Sequence, residues 1–382
     1  MVCNHRLTKF KVWLVVMLSP VLLTSSHQDL EVRRMTTADR TQPLGKSKRM
    51  SQDGTGDLKS ECKIKRFIRD LSPFNGRTQM PAVLYVIKVI LVFFVFKFGA
   101  ELVGEVVAIA VHFACGKNPL EGEMFDADTI MLLTYFGYSI MIGVIILMWK
   151  LFQKKTLAEL GFTAKFGSYF IGIAAGTVLI TACVVPVMLT GAIRYNGIFR
   201  NIDIGMVLLM IPCFMFQGAM EEVLCRGVVQ NLLTKKTSVP VAVGVSSVLF
   251  AIPHLDNMEG GSPAIVFVAI ANLILISVLF SLFTIRFKSI WAACGLHSVW
   301  NYILFSIMGL NLSGNEGAVA SVFDMSSVGS NILNGGMYGI EASIITTAVL
   351  AVAAVIIIVI NIRKQDNAIC PATHVPSKSA GD

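Results

Sequence analysis

Residues 204–233 read IGMVLLMIPCFMFQGAMEEVLCRGVVQNLL. Ile204 to Met220 is almost wholly apolar and Gly227 to Leu233 continues the run, yet between them stand Glu221, Glu222 and Arg226. A charged side chain at membrane depth costs about 2.5–3.5 kcal/mol even on the lenient insertion scale, so three would cost roughly 8–10 kcal/mol if left unpartnered. A helix keeps such groups only where they pair, face a wet cavity or do chemistry.

The whole chain supports a membrane reading. Hydrophobic residues make up 54% of the 382 and charged residues only 15%, against about 25% charged in a soluble domain. Mean hydropathy is +0.69. The net charge of +8 is therefore no sign of nucleic acid binding, and no nucleic-acid partner is expected; basic residues here mark the cytoplasmic side of a bilayer.

Working outward from residues 204–233, further apolar segments of about the 20 residues a span requires run over roughly 81–113, 128–149, 168–193, 238–256, 263–285, 289–310 and 338–362. The expected fold is thus all-α: a polytopic membrane protein of about eight transmembrane helices, with any active site inside the bundle. Lys150, Lys154, Lys155 and Lys165, then Lys235 and Lys236, Arg286 and Lys288, and Arg363 and Lys364 follow alternate spans, while Glu121, Glu123, Asp126 and Asp128, then Asp256 and Glu259, then Glu316 and Asp324 occupy the loops between. Basic loops inside put residues 27–80 and the C-terminus on the cytoplasmic side; Arg194 and Arg200, in an outer loop, break the pattern.

Five regions follow. Residues 1–26 carry Arg6, Lys9 and Lys11 before the apolar run Val12 to Leu23, either a signal-like or a short membrane-associated segment. Residues 27–80 are polar, with 12 Lys and Arg, and are expected to be disordered and cytoplasmic. Residues 81–165 hold the first two spans, 166–362 the core that contains the intramembrane carboxylates, and 363–382 a cytoplasmic tail. Cys183, Cys213, Cys225 and Cys294 are scattered through spans without CxxC spacing, which reads as buried structural thiols. Lys97, Glu101 and Glu105 form an i,i+4 ladder on the first span with no assigned role. Glu341 reads as the N-terminal carboxylate of the last span.

Two further polar groups lie downstream. One apolar segment ends Phe250-Ala251-Ile252-Pro253-His254, and another contains His297-Ser298-Val299-Trp300-Asn301. His297 and Asn301, four apart, share a helical face, as do Glu222 and Arg226, which can form an ion pair. Glu221 then points about 100° away from Glu222 and is left for another task. At 1.5 Å per residue, Glu221 stands roughly 21 Å above the Lys235 flank, His297 and Asn301 roughly 14 and 20 Å above Lys288, and His254 at most about 27 Å above Lys236. Three separate spans therefore bring these groups to one middle band of a core about 30 Å thick.

EExxxR, FxxxH and HxxxN, in that order on successive apolar spans, resemble the signature of the CPBP family, the CAAX-type prenyl endopeptidases and bacteriocin-processing (Abi) proteins. Arg226-Gly227-Val228-Val229 and the glycine-rich stretch Gly335 to Glu341 also resemble the family, over roughly residues 170–362. The resemblance implies a multi-pass membrane protease, of the glutamic and metal-independent type, acting on a peptide or prenylated-protein substrate among membrane lipids; its bacterial members place it in a plasma membrane.

The residues support the same chemistry. Peptide hydrolysis needs an activated water, donors for the oxyanion and a proton for the leaving amine. Glu221 is the candidate base, His254 a second holder of the water, and His297 and Asn301 the oxyanion donors. Glu222 and Arg226 form a supporting pair, and Phe250 shapes the pocket wall. The rival chemistry is a zinc set of Glu221, Glu222, His254 and His297 with water in an open position, although HExxH is absent. Two readings from other classes are a non-catalytic scaffold or bacteriocin self-immunity protein, and an ion-coupled transporter built on the intramembrane carboxylates.

Overall fold

A computed structural model describes residues 80–258, 261–315 and 321–369. The expectations for residues 1–26 and 27–79, and for the tail from 370 onward, lie outside the described residues.

The described chain is a helical bundle. Helix α1 spans Ala82–Ala114, α2 Ala127–Phe152, α3 Ser168–Leu189 and α4 Ile204–Glu222. Helix α5 spans Val239–Ala251, α6 Pro263–Phe287, α7 Trp291–Tyr302 and α8 Ile344–Ile369. Capping residues set several starts: Asp126 accepts from Thr129 N–H and Asp203 from Met206 N–H, both at 2.9 Å, satisfying donors that an uncapped first turn leaves open. At 33 residues α1 is roughly 50 Å long, well beyond a 30 Å core.

Two of the helices that carry the polar motifs change their winding, one within its motif and one just after it. Helix α4 passes at Val223 into a π-helical stretch, Val223–Gln230, and ends in Asn231–Leu233. Helix α7 passes at Ile303 into a π-helical turn, Ile303–Ile307. Such wide turns are rare and collect at functional sites. Helix α5 instead tightens into a 3₁₀ segment, Ile252–Met258, where Pro253 has no N–H to continue the α-helical hydrogen bonds.

Seven of these helical segments are long and apolar enough to cross a membrane, and α7 is not among them. Its 12 residues and five-residue π turn are shorter than the segment 289–310 read from the sequence, because Ile290 lies before the helix and Gly309, at φ +67°, ends it. The loops nevertheless gather at two ends. Lys165 Nζ donates to Phe287 O (3.0 Å) and Trp291 Nε1 to Thr163 O (2.9 Å), so the α2–α3 and α6–α7 loops meet. Asn257 Nδ2 donates to Ser313 O (2.9 Å), joining the stretches after α5 and after α7. Helix α7 thus runs from one end to the other despite its length.

A small sheet, absent from the all-α expectation, ties two loops at that second end. Strand β1, Ile193–Ile198, pairs antiparallel with β2, Phe323–Ser327, from Ile193 opposite Ser327 to Ile198 opposite Phe323, with a bulge between Tyr195 and Gly197. The segment 168–193 therefore ends its helix at Leu189. The last helix starts at Ile344 rather than near 338: the 3₁₀ turns Gly336–Tyr338 and Ile340–Ala342 precede it.

Helix α7 is the centre of the bundle because small residues let its neighbours approach. A Cβ on Gly295 would come within 2.0 Å of Tyr169 O, and one on Gly172 within 2.0 Å of Ala292 O, so α3 and α7 meet backbone to backbone. On the other side, a Cβ on Gly218 of α4 would meet Ser298 Oγ at 3.1 Å and Ser298 N at 3.2 Å. That approach sets Glu221 and Glu222, one turn on, beside His297.

Candidate active site

Glu222 and Arg226 face each other across one helical turn, Oε1 to Nη1 at 3.0 Å, with both side chains wholly buried. Arg226 Nη2 also donates to the carbonyl and hydroxyl of Ser277 on α6. Its guanidinium lies 5.2 Å from the Phe250 ring centre and 5.1 Å from that of Phe280, where the ring faces favour a cation. The charge is thus spread over a carboxylate, two oxygens of Ser277 and two aromatic faces.

Glu222 does more than hold Arg226. The same Oε1 lies 3.0 Å from His297 Nδ1. A carboxylate paired with an arginine can only accept, so Nδ1 carries a proton; Nε2 then bears one only when the ring is an imidazolium. His297 is stacked on Phe280, ring centres 4.7 Å apart and 13° from parallel. Phe280, unmarked by any motif, is a second aromatic wall beside Phe250, whose ring stands 5.1 Å from His254 and 5.9 Å from His297.

Glu221 projects into the same space. Its Oε2 is 3.8 Å from His297 Nε2 and makes no hydrogen bond with any described protein group, although Glu221 is only 8% exposed. His254 lies within electrostatic reach of it. His254 Nδ1 donates to Phe250 O at 2.9 Å, which leaves Nε2 as an acceptor in the neutral ring. Asn301, on the His297 face of α7, donates from Nδ2 to Gln217 Oε1 at 2.8 Å and keeps a second N–H. All seven residues singled out by the sequence thus gather in one buried cluster, supplied by α4 and its π-helical continuation, by α5 and its 3₁₀ extension, and by α7.

Three side chains join them, of which only Lys97, in the ladder on the first span, carried a mark in the sequence. Gln217 bridges towards Asn301, Phe280 covers Arg226 and His297, and Lys97 of α1 sets its Nζ 3.6 Å from Glu221 Oε1 and 3.3 Å from Glu101 Oε1. Glu341 lies elsewhere. Its carboxylate accepts from Trp300 Nε1 (3.1 Å), Ser313 N (2.6 Å) and Ser313 Oγ (2.9 Å), and so staples the loop after α7 rather than beginning α8. Burial pushes its carboxyl up from the ordinary range. The thiols of Cys183, Cys213, Cys225 and Cys294 are free and buried.

In the alternative zinc set of Glu221, Glu222, His254 and His297, each side chain has one polar atom engaged by the protein. Glu222 Oε1 meets Arg226 and His297 Nδ1, His254 Nδ1 meets a carbonyl and Glu221 Oε1 the Lys97 ammonium, while Glu221 Oε2 and Glu222 Oε2 have no protein hydrogen bond. Among the described residues no three His, Cys, Asp or Glu side chains gather where they could hold a metal ion.

Residues 203–303 match the family model described as Type II CAAX prenyl endopeptidase Rce1-like. This segment is similar to Rce1-like domains. It contains EExxxR, FxxxH and HxxxN entire, in agreement with the CPBP resemblance. No curated protein and no solved structure matches the chain. The seven apolar helices among the described residues and the Rce1-like match support a multi-pass integral membrane protein of membrane-protease type.

Proposed function

We propose that the protein is an intramembrane endopeptidase of the glutamic type that hydrolyses a peptide bond on the carboxyl side of a prenylated cysteine. The observation that carries this reading is Glu221 Oε2: a buried carboxylate oxygen, without a protein hydrogen bond, facing His297 Nε2 across 3.8 Å. Glu221 takes a proton from a water whose other hydrogen is accepted by His254 Nε2. The water oxygen attacks the scissile carbonyl carbon, and the developing oxyanion receives the free N–H of Asn301 and, when its ring is doubly protonated, Nε2–H of His297. Collapse breaks the C–N bond, and Glu221 returns its proton to the leaving amine.

This chemistry needs no metal. Glu222 keeps the negative charge that holds Arg226 and aims the His297 ring, and the aromatic faces of Phe250 and Phe280 hold both cation and ring in place.

The test is cleavage of a farnesylated-cysteine peptide bearing three further residues, by purified protein in the presence of a chelator. Wild type should cleave it. Glu221→Gln, which keeps the shape and removes the base, should lose at least about 100-fold in kcat, the range for loss of a general base. Undiminished turnover by Glu221→Gln would overturn the assignment of the base, and loss of wild-type turnover on chelation would overturn the metal-free mechanism. A wild type that cleaves no prenylated peptide would favour the scaffold reading.

A further inference from the structure

The ladder Lys97–Glu101–Glu105 on α1 lies outside the matched domain, yet one end of it reaches the proposed base. We infer that Lys97 is a positioning residue for Glu221, its ammonium fixed by Glu101 on one side and holding Glu221 Oε1 on the other, so that Oε2 is presented to His254 and His297. This inference rests on the reading of Glu221 as the base.

Four observations carry it. Lys97 is buried at 8% exposure in the middle of an apolar helix, a placement that demands a partner. It pairs with two carboxylates, Glu101 at 3.3 Å on its own helix and Glu221 at 3.6 Å on α4. The two Glu221 oxygens are divided: Oε1 faces Lys97, while Oε2 faces His297 and carries no protein hydrogen bond. Glu222 has its own cation in Arg226, so Lys97 serves Glu221. A contact of 3.6 Å is longer than a hydrogen bond; it orients the carboxylate by charge and leaves it free to accept a proton.

A direct substrate role fits less well. In a substrate with three residues beyond the cleaved bond, the terminal carboxylate lies up to about 10 Å from that bond, whereas Lys97 stands beside the carboxylate that must reach the attacking water. Tyr138 of α2 also lies within electrostatic reach of Lys97.

The experiment is a double-variant cycle read in kcat, KM and thermal stability on the same farnesylated peptide. Lys97→Met should lower kcat about 10–100-fold with KM little changed, and Lys97→Arg, which keeps the charge but cannot release a proton, should stay within about tenfold of wild type. In a Glu221→Gln background Lys97→Met should cause no further loss, because both substitutions disable one unit. Additive losses would mean that Lys97 acts independently of Glu221 and would overturn the inference, as would a Lys97→Met variant with wild-type kcat. An inactive but folded Lys97→Arg would replace positioning with proton donation. Should Glu221→Gln alone turn over normally, the base assignment fails, whereas an inactive Glu221→Gln beside a fully active Lys97→Met fails the lysine alone. Melting temperatures of the same four proteins supply a substrate-free cycle: if the contact is real, removing Lys97 should destabilise the wild type more than the Glu221→Gln protein.

Discussion

Asn301 separates an oxyanion donor from a residue that merely joins two helices. Its Nδ2 already donates to Gln217 at 2.8 Å, so the amide is held with one N–H fixed and the other aimed elsewhere. If that second N–H serves the transition state, Asn301→Ala should lower kcat about 100–1,000-fold with KM nearly unchanged. If Asn301 is interhelical glue alone, the same variant should cost about 0.6 kcal/mol of stability and leave turnover per folded molecule intact; kcat and thermal stability measured together decide. Glu222→Gln should behave differently and lower both. The neutral amide leaves Arg226 without its charge partner at depth, a loss in the range of about 3–5 kcal/mol for a broken buried pair, and the oxygen that orients His297 changes with it. A Glu222→Gln protein as stable as wild type would show that Ser277 and the two aromatic faces suffice for Arg226.

At the level of helices, the approach of α4 to α7 sets the chemistry. Gly218 has Ser298 Oγ and N at 3.1 and 3.2 Å from where its Cβ would stand, so a methyl group fits only if the neighbour yields slightly and a branched side chain drives the helices apart. Gly218→Val should cost about 1–3 kcal/mol through overpacking and lower kcat more than stability alone explains, since a 1 Å misplacement of reacting groups can cost about 100-fold. Gly143→Val on α2, where a Cβ would meet nothing within 4 Å, is the control and should leave kcat unchanged; equal effects of the two would remove Gly218 from the argument. The same helices explain what could be read beforehand. EExxxR and HxxxN are local, because spacing by four is enough to place two side chains on one face, and burial of their polar groups forces the motif helices together. The Lys97 contact joins α1 to α4 across more than a hundred residues, and Phe280 bears no polar mark in an apolar helix, so neither was visible. Glu341 was misplaced because Gly339, at φ +91°, breaks the apolar run before α8 can begin.

For the whole molecule, the consequence is the number of crossings. Charge alternation in the sequence implies eight, while seven helical segments meet the length expected of a span and α7 falls short. The loop contacts favour eight. The α6–α7 loop is tied to the α2–α3 loop by Lys165 and Trp291. Beyond α7, β2 is paired to β1 of the α3–α4 loop, with Arg194 opposite Ser326. The pairing of IRYNGI with FDMSS could not be read in advance, since neither stretch shows the strict alternation of a half-buried strand. A short α7 is tolerable because it is sheathed by α3, α4 and α6 and meets little lipid; hydrophobic length matters at the bilayer boundary and much less for a helix buried in protein. Single cysteines placed in a background lacking the exposed native thiols test this directly. Arg286→Cys and Lys165→Cys should react with an impermeant maleimide from one face of sealed vesicles, and Ser326→Cys and Asn196→Cys from the other, with the basic pair on the cytoplasmic face. Labelling of Arg286→Cys and Ser326→Cys from the same face would mean that α7 enters and leaves on one side, and the pocket would then open on a re-entrant element rather than inside a crossing bundle.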